Sequence, residues 1–439
     1  MTASSSPRTL FGHPPGLTVL CLTQMWAEFS FFGLQALLVY YLIHQLEMPQ
    51  ATASLVYGFY GASAYFSPVL GGWVADRWLG RTRSIILGGV LMMFGHFALA
   101  FEPLLFVGLG LVAVGNGLFL PPLAVQIAAL YTESDSRRPQ AFSLYYMGTN
   151  LGGLLSPIVC GTLGETFGWH WGFAAAGFGM LIGMAIYLLF RSHLPPDPAL
   201  QSRNDRTREP LTAQDRINLR ILLAIGLSVV LFRVGYEQSG NIIALWIDQQ
   251  TDRQVTLFGR ALEIPATWFQ SINPLLIITL TPVLMHFWRK RAQLLGPPNL
   301  ARRMAFGCVL ASIASVLMVA AAWMHTATGQ PVSPWWVVAY FVALTLGELH
   351  VLPIGLSLFG TLAPLTVASV IMGSWYIAKF LGSLAAGVMG TTWETIPHEL
   401  FFMIGAGATM LAALALYWIG SNFLPRSPGE DQGGGGPES

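Results

Sequence analysis

Leu104 to Leu130 reads LLFVGLGLVAVGNGLFLPPLAVQIAAL, 27 residues without one charged side chain. About 20 apolar residues in a helix cross the ~30 Å hydrocarbon core of a bilayer, so this stretch reads as a membrane-spanning helix. Its glycines, Gly108, Gly110, Gly115 and Gly117, follow no strand and so make no dinucleotide fingerprint. Close helix packing and a flexible fourth helix broken at Pro121 explain them better. The same ruler, carried outward, finds twelve spans at about 17–43, 52–75, 84–101, 104–130, 141–163, 171–190, 217–246, 265–287, 303–323, 334–358, 365–389 and 400–421. The fold class expected is an all-α integral membrane protein. The first span lacks a short apolar region followed by a small-residue cleavage site, so it reads as a retained helix.

Composition points the same way. Charged residues make up 10% of the 439 and hydrophobic residues 54%, whereas a water-soluble domain carries about 25% charged residues. So few charges could not cover a folded surface in water. That excludes an ordinary soluble enzyme and a disordered chain. A net charge of +1 excludes a nucleic-acid binder, which needs a basic excess. Cys21, Cys160 and Cys308 stand alone in apolar runs, which supports neither a disulfide framework nor a zinc site. No nucleophile triad and no metal-ligand spacing occurs, so no enzyme activity, metal or bound cofactor is expected.

Positive charge orients the bundle. With the N-terminus cytoplasmic, 18 of the 22 Lys and Arg fall on inside segments. Arg253 and Arg260 fall outside, and Arg233 and Lys379 lie within spans. Both termini are therefore expected in the cytoplasm. The stretch 191–216, rich in Pro, Arg, Asp and Ser, separates a six-helix half at 17–190 from another at 217–422. Residues 1–16 read as a cytoplasmic N-terminus and 423–439 as a disordered cytoplasmic tail.

The halves echo each other. Ser67-Pro68-Val69-Leu70 resembles Thr281-Pro282-Val283-Leu284, and Met147-Gly148-Thr149 resembles Met372-Gly373-Ser374. Parallel six-helix repeats are the architecture of a two-domain secondary transporter. After the second span comes GWVADRWLGRTR, Gly72 to Arg83. It resembles the loop signature of the major facilitator superfamily, with Asp76, Arg77, Gly80 and Arg81 at the motif positions. The resemblance implies that Asp76 sits at a helix end and pairs with a cytoplasmic Arg in one transport state.

Further segments resemble the proton-dependent oligopeptide transporter family of that superfamily. They are MWAEFSFFGLQALLVYYL from Met25, FSLYYMGTNLGG from Phe142, GWHWGF from Gly168, YEQSG from Tyr236, FQSINP from Phe269 and GELHVLPIGLS from Gly347. Spread through both halves, they imply a twelve-helix transporter of the bacterial inner membrane, acting as a monomer on a small peptide or peptide-like compound. Many bacterial members carry two extra helices between the halves, for which the linker here leaves no room.

The departures from the family are informative. Its first-helix E-x-x-E-R aligns with Gln24, Ala27 and Glu28, so both glutamates and the Arg are gone and a carboxylate stands at the Arg position. A further family Arg aligns with Gln35, and the fourth-helix Lys with Leu120. Charge appears instead at Arg233 and Lys379 in the other half. With Glu28, Glu237 and Glu348, five charges lie inside the spans, each costing about 2.5 to 3.5 kcal/mol to insert. Arg233 and Glu237, at i and i+4, stand on one helix face and would neutralise each other. Low dielectric disfavours a charged carboxylate, so Glu28, Glu237 and Glu348 are the candidate proton-coupling sites.

Carried over by position, the resemblance implies that Glu348 binds a substrate amino group, and that Asn150, Asn273 and Tyr65 bond the peptide backbone or terminus. Gln238 joins them, Trp375 lines the cavity, and Gln35, Arg233 and Lys379 complete the binding set. His96 and His350 also lie in spans. A neutral imidazole bonded to a neighbouring helix is the simpler reading of His96. His350, two residues from Glu348, stays open between that and a functional role. The function expected is proton-coupled symport of peptides by alternating access. The alternative is a divergent transporter, outward or uncoupled, of a modified peptide or a peptide-derived metabolite.

Overall fold

The structure is a computed structural model describing residues 12–132, 135, 137–197, 212–257, 260–296, 298–364 and 367–423. With no water in the hydrocarbon core, backbone polar groups must be satisfied internally, and apolar runs of about 20 residues do so as helices. The first six are α1 (Pro15–Tyr40), α2 (Gln50–Val74), α3 (Arg81–Leu99), α4 (Leu105–Ala129), α5 (Arg138–Phe167) and α6 (Trp169–Leu189). Then come α7 (Ala213–Tyr236), α8 (Ile242–Gln250), α9 (Ile272–Leu295) and α10 (Leu300–Thr328), followed by α11 (Trp335–Leu362), α12 (Ala368–Gly390) and α13 (His398–Asn422).

Each of the twelve expected spans falls on a helix. The seventh is broken, with α7 and α8 joined by a 3-10 turn at Glu237–Gly240. Among the described residues ten helical segments are long and apolar enough to cross a membrane. Helices α2 and α5, of 25 and 30 residues, have the length but a lower mean hydropathy. One element has no counterpart in the sequence reading. Strands β1 (Gln254–Leu257) and β2 (Arg260–Glu263) form an antiparallel hairpin pairing Gln254 with Glu263. A four-residue strand gives too few alternations to be seen as a pattern.

The chain divides into two compact units. The first comprises the described residues of Met1–Pro49, Ser63–Asp205 and Arg253–Leu275, and the second those of Gln50–Ala62, Arg206–Asp252 and Leu276–Ser439. The division therefore runs through α2 and not only along the linker. Close packing explains it: a Cβ on Gly58 would lie 2.5 Å from the Cα of Gly387 in α12, so the first half of α2 belongs with the second unit. Within 191–216, Arg191–His193 forms a 3-10 turn and α7 starts at Ala213. Thr212 and Asp215 cap that helix reciprocally, which makes residues 213–216 helix. The expected tail from 424 on, residues 1–11 and linker residues 198–211 lie outside the described residues.

In the first unit Leu20, Ile85, Phe119, Ile127, Met180 and Tyr187 bury together. Helices α3 and α4 touch backbone to backbone, since a Cβ on Gly88 would lie 2.6 Å from the Gly115 carbonyl oxygen. The glycines of α4 thus serve close packing. Helix α4 is not broken at its prolines, however, but runs through Pro121 and Pro122. A proline frees the carbonyl four residues back. That of Leu118 accepts a hydrogen bond from Ser84 Oγ at 2.9 Å. In α2, Pro68 likewise frees the Ala64 carbonyl, which Asn116 Nδ2 bonds at 3.1 Å. Side chains of neighbouring helices therefore keep both helices whole in lipid.

In the second unit α10 and α11 approach through Gly307 and Gly347, where a Cβ on Gly347 would lie 2.6 Å from the Gly307 oxygen. Trp246 of α8 is fully buried, edge-on to Trp393, His398 and Phe402.

Candidate functional site

In the first unit, Glu28 is half-buried on α1. One turn earlier the buried Gln24 donates from Nε2 to Glu28 Oε1 at 2.6 Å and to Thr149 Oγ1 of α5 at 3.5 Å. Small residues make this possible. A Cβ on Gly148 would lie 3.0 Å from the Cys21 carbonyl oxygen, and one on Gly152 would meet that of Met25. Glu28 therefore faces an amide donor one turn away.

Asn150, buried on the same stretch of α5, donates to the Tyr146 carbonyl at 2.9 Å. The start of α9 adjoins that stretch, because Ser271 Oγ bonds the Leu154 carbonyl at 2.8 Å and Gly153 faces Pro274. Asn150 and Asn273 are thus brought to adjoining turns. Gln35 and Tyr65 are half-buried in this unit. An apolar cleft of about 330 Å³ between α1, α5 and α6, lined by residues including Trp26, Phe29, Leu155 and Phe178, offers no charged side chain to a polar substrate.

In the signature loop, Asp76 sits in the turn at the end of α2, is exposed and makes no ion pair among the described residues in this conformation. Arg77 lies 6.0 Å over the Trp73 ring. Gly80 takes a φ of +76°, which favours glycine, between the turn and α3. Beside it Asp197 of the linker, not Asp76, accepts the Thr82 N–H at 3.0 Å and the Thr82 hydroxyl at 2.9 Å. The orphan donors of a helix start and its positive dipole end favour a carboxylate there.

In the second unit Arg233 and Glu237 form an ion pair with side chains only 1% and 5% exposed. The i,i+4 neutralisation expected from the sequence is present. Gly382 lets α12 close on this pair, a Cβ there lying 2.5 Å from Arg233 Cβ. Gln238 is buried and donates to the carbonyls of Val234 and Ala386 at 3.2 and 3.0 Å. Its amide nitrogen thus pins α7 to α12, where the sequence reading had it meeting substrate. Glu348 is buried in α11, 8% exposed. Trp375 of α12 is buried edge-on to Phe359 at 5.2 Å, its indole against Gly355. Lys379, one turn on, lies 5.7 Å over the Tyr376 ring. Trp375 and Lys379 therefore share one side of α12.

The two histidines separate. His350 Nε2 accepts from Trp288 Nε1 at 3.0 Å, and indole nitrogen only donates. The proton is then on Nδ1, which donates to the Leu346 carbonyl at 2.7 Å, making His350 neutral and structural in this conformation. His96 is fully buried, and neither ring nitrogen has a partner among the described residues, against the expected bond to a neighbouring helix. Outside the spans, Arg137 grips Asp135 at 2.8 Å and holds its carboxyl down to about 2. No group of three or more metal-ligating side chains occurs among the described residues.

Comparison with known proteins identifies the family. The Major Facilitator Superfamily family model matches residues 20–387. The peptide transporter YePEPT of Yersinia enterocolitica subsp. palearctica is 32% identical, covering 89% of this chain and 90% of its own. The chain belongs to the major facilitator superfamily. Within it, the chain is a divergent member of the proton-dependent oligopeptide transporter family. A crystal structure of the peptide transporter POT in complex with sulfate superposes with a TM-score of 0.83 at 28% identity, covering 95% of this chain and 96% of the other. A POT family transporter in complex with 5-aminolevulinic acid gives 0.84 at 26% identity, covering 96% and 99%.

Two features of the site were missed in the sequence. The Gln24–Glu28 bond was signalled by their i,i+4 spacing. Glu165, at the end of α5, accepts the Ala266 N–H at 3.0 Å, the Thr267 N–H at 2.9 Å and the Thr267 hydroxyl at 2.6 Å. It ties the segment leading into α9 to α5. No local pattern announces that tie.

Proposed function

We propose that this chain is a secondary active transporter moving peptides or peptide-like compounds across the bacterial inner membrane by proton-coupled symport and alternating access. The proton gradient is its energy source, it does no chemistry on its cargo, and it works as a monomer with both termini in the cytoplasm. The observation that carries the reading is Glu348, a carboxylate kept buried in an otherwise apolar helix, at the position where the family receives a substrate amino group. Relatives named as peptide transporters support it. Asn150, Asn273 and Tyr65 bond the substrate backbone, and Trp375 and Gln35 line its site. Lys379 meets an anionic end, because Arg233 is already engaged by Glu237. Glu28 carries the proton, with Gln24 donating to its charged form.

One observation favours a second reading. Leu120 and Gln35 stand where the family has cations toward a peptide carboxylate, which fits a capped or modified peptide, exported or moved without protons. A thermal-stability screen of the purified protein separates the two, since bound ligand raises stability with concentration over Kd. The first reading expects unmodified dipeptides to raise the midpoint, N-acetylated ones to fail, and Glu348→Gln to abolish the shift. Stabilisation by N-acetylated and free peptides alike would overturn the role of Glu348. Stabilisation only by carboxyl-modified peptides would support the second reading over the first.

A further inference from the structure

The facing ends of α9 and α10 carry a group of cations, four of which meet no acid among the described residues. Between Glu263 and Glu348 the chain holds no Asp or Glu. Arg289, Lys290, Arg291 and Arg303 make no ion pair among the described residues. They are organised around one indole. Arg303 lies 4.3 Å and Arg291 5.4 Å from the Trp288 ring centroid. The Trp288 N–H is fixed to His350 Nε2, so the ring is held in place. The Arg303 Nε is buried and has no hydrogen-bond partner among the described residues. Two guanidinium groups gathered on one ring repel each other, and a buried N–H without an acceptor costs free energy. An anion between them relieves both.

We propose that this cluster binds the phosphate headgroup of an anionic phospholipid of the leaflet that faces the cytoplasm. The charge asymmetry of the sequence places these helix ends on that side. A guanidinium fork suits phosphate oxygens, and a tryptophan suits the headgroup level of a membrane. The flanks decide between a lipid and a free phosphate. Leu294 is 83% and Leu295 60% exposed, and Phe287 and Phe306 are exposed on the two helices. Acyl chains cover such side chains and inorganic phosphate does not.

The test is native mass spectrometry of the full-length protein in neutral detergent, titrated with dioleoylphosphatidylglycerol or dioleoylphosphatidylcholine. Phosphatidylglycerol should be retained in preference. Each cation near a surface is worth about fivefold in affinity for anionic lipid, so Arg291→Gln/Arg303→Gln should weaken retention roughly 25-fold. Arg83→Gln/Arg138→Gln, removing as much charge elsewhere, should leave it unchanged. Arg289→Gln/Lys290→Gln, on exposed side chains, provides a second variant if the first fails to fold. Equal retention of both lipids, equal loss in the Arg83/Arg138 control, or full competition by sn-glycerol 3-phosphate would each overturn the proposal.

Discussion

Breaking the buried Arg233–Glu237 pair should cost far more than deleting it. The two side chains are 1% and 5% exposed, so neither charge has water to fall back on. Two opposite unit charges about 4 Å apart attract by roughly 4 kcal/mol at an effective dielectric near 20, which sets the scale for a contact ion pair such as this one. Removing one partner of such a pair costs about 3–5 kcal/mol, while replacing both with apolar groups of similar volume is close to neutral. At ~2–4 °C per kcal/mol for a folding unit of this size, Arg233→Met or Glu237→Leu should lower the thermal midpoint by about 6–20 °C. The double variant should recover most of that. The assay is thermal unfolding of the purified protein in detergent, read by size-exclusion fluorescence of the surviving monodisperse peak. A double variant that falls as far as either single one would refute the reasoning, because simple neutralisation would then not be what the pair does.

Asn116→Leu should destabilise the first unit by about 1–3 kcal/mol, since it strands the Ala64 carbonyl that Pro68 leaves free; Ser84→Ala, with the Leu118 carbonyl, should do the same, and unfolding midpoints near wild type would contradict both. Glu165→Ala removes an acceptor of three hydrogen bonds and should speed amide hydrogen exchange at 266 and 267 well before global unfolding; unchanged exchange there would contradict it. Arg137 depresses the Asp135 carboxyl to about 2, so this clip is fully present above the unfolded carboxylate value near 4 and is lost as pH falls through about 2. Asp135→Asn should therefore leave the shape of any transport pH profile between 5 and 8 unchanged, and an altered profile would sink that assignment.

How much was legible follows from where each interaction lies. Every span could be read because a helix crossing hydrocarbon satisfies its own backbone and demands an apolar run of fixed length. The Arg233–Glu237 pair could be read because its partners are one turn apart. Tertiary partners could not. Thr149 meets Gln24 across 125 residues, and Glu165 meets Thr267 across 102. The prolines of α4 misled for the same reason: Pro121 and Pro122 are helix breakers locally, and the Leu118 carbonyl that Pro122 frees is bonded by Ser84 of a neighbouring helix. Gln238 looked available for substrate until Ala386 of α12 was seen to hold its amide. Sequence thus named the charged side chains of the site, while their partners depended on packing that no local pattern encodes.

The central claim is proton-driven peptide transport in which Glu348 receives the substrate's amino group. Its most direct measurement is uptake of labelled dialanine into proteoliposomes under an imposed pH gradient, acid outside. The account predicts uptake above the equilibrium level, abolished by collapsing the gradient and reduced to background by Glu348→Gln with the protein still folded. Uptake indifferent to the gradient, or retained in Glu348→Gln, would contradict it.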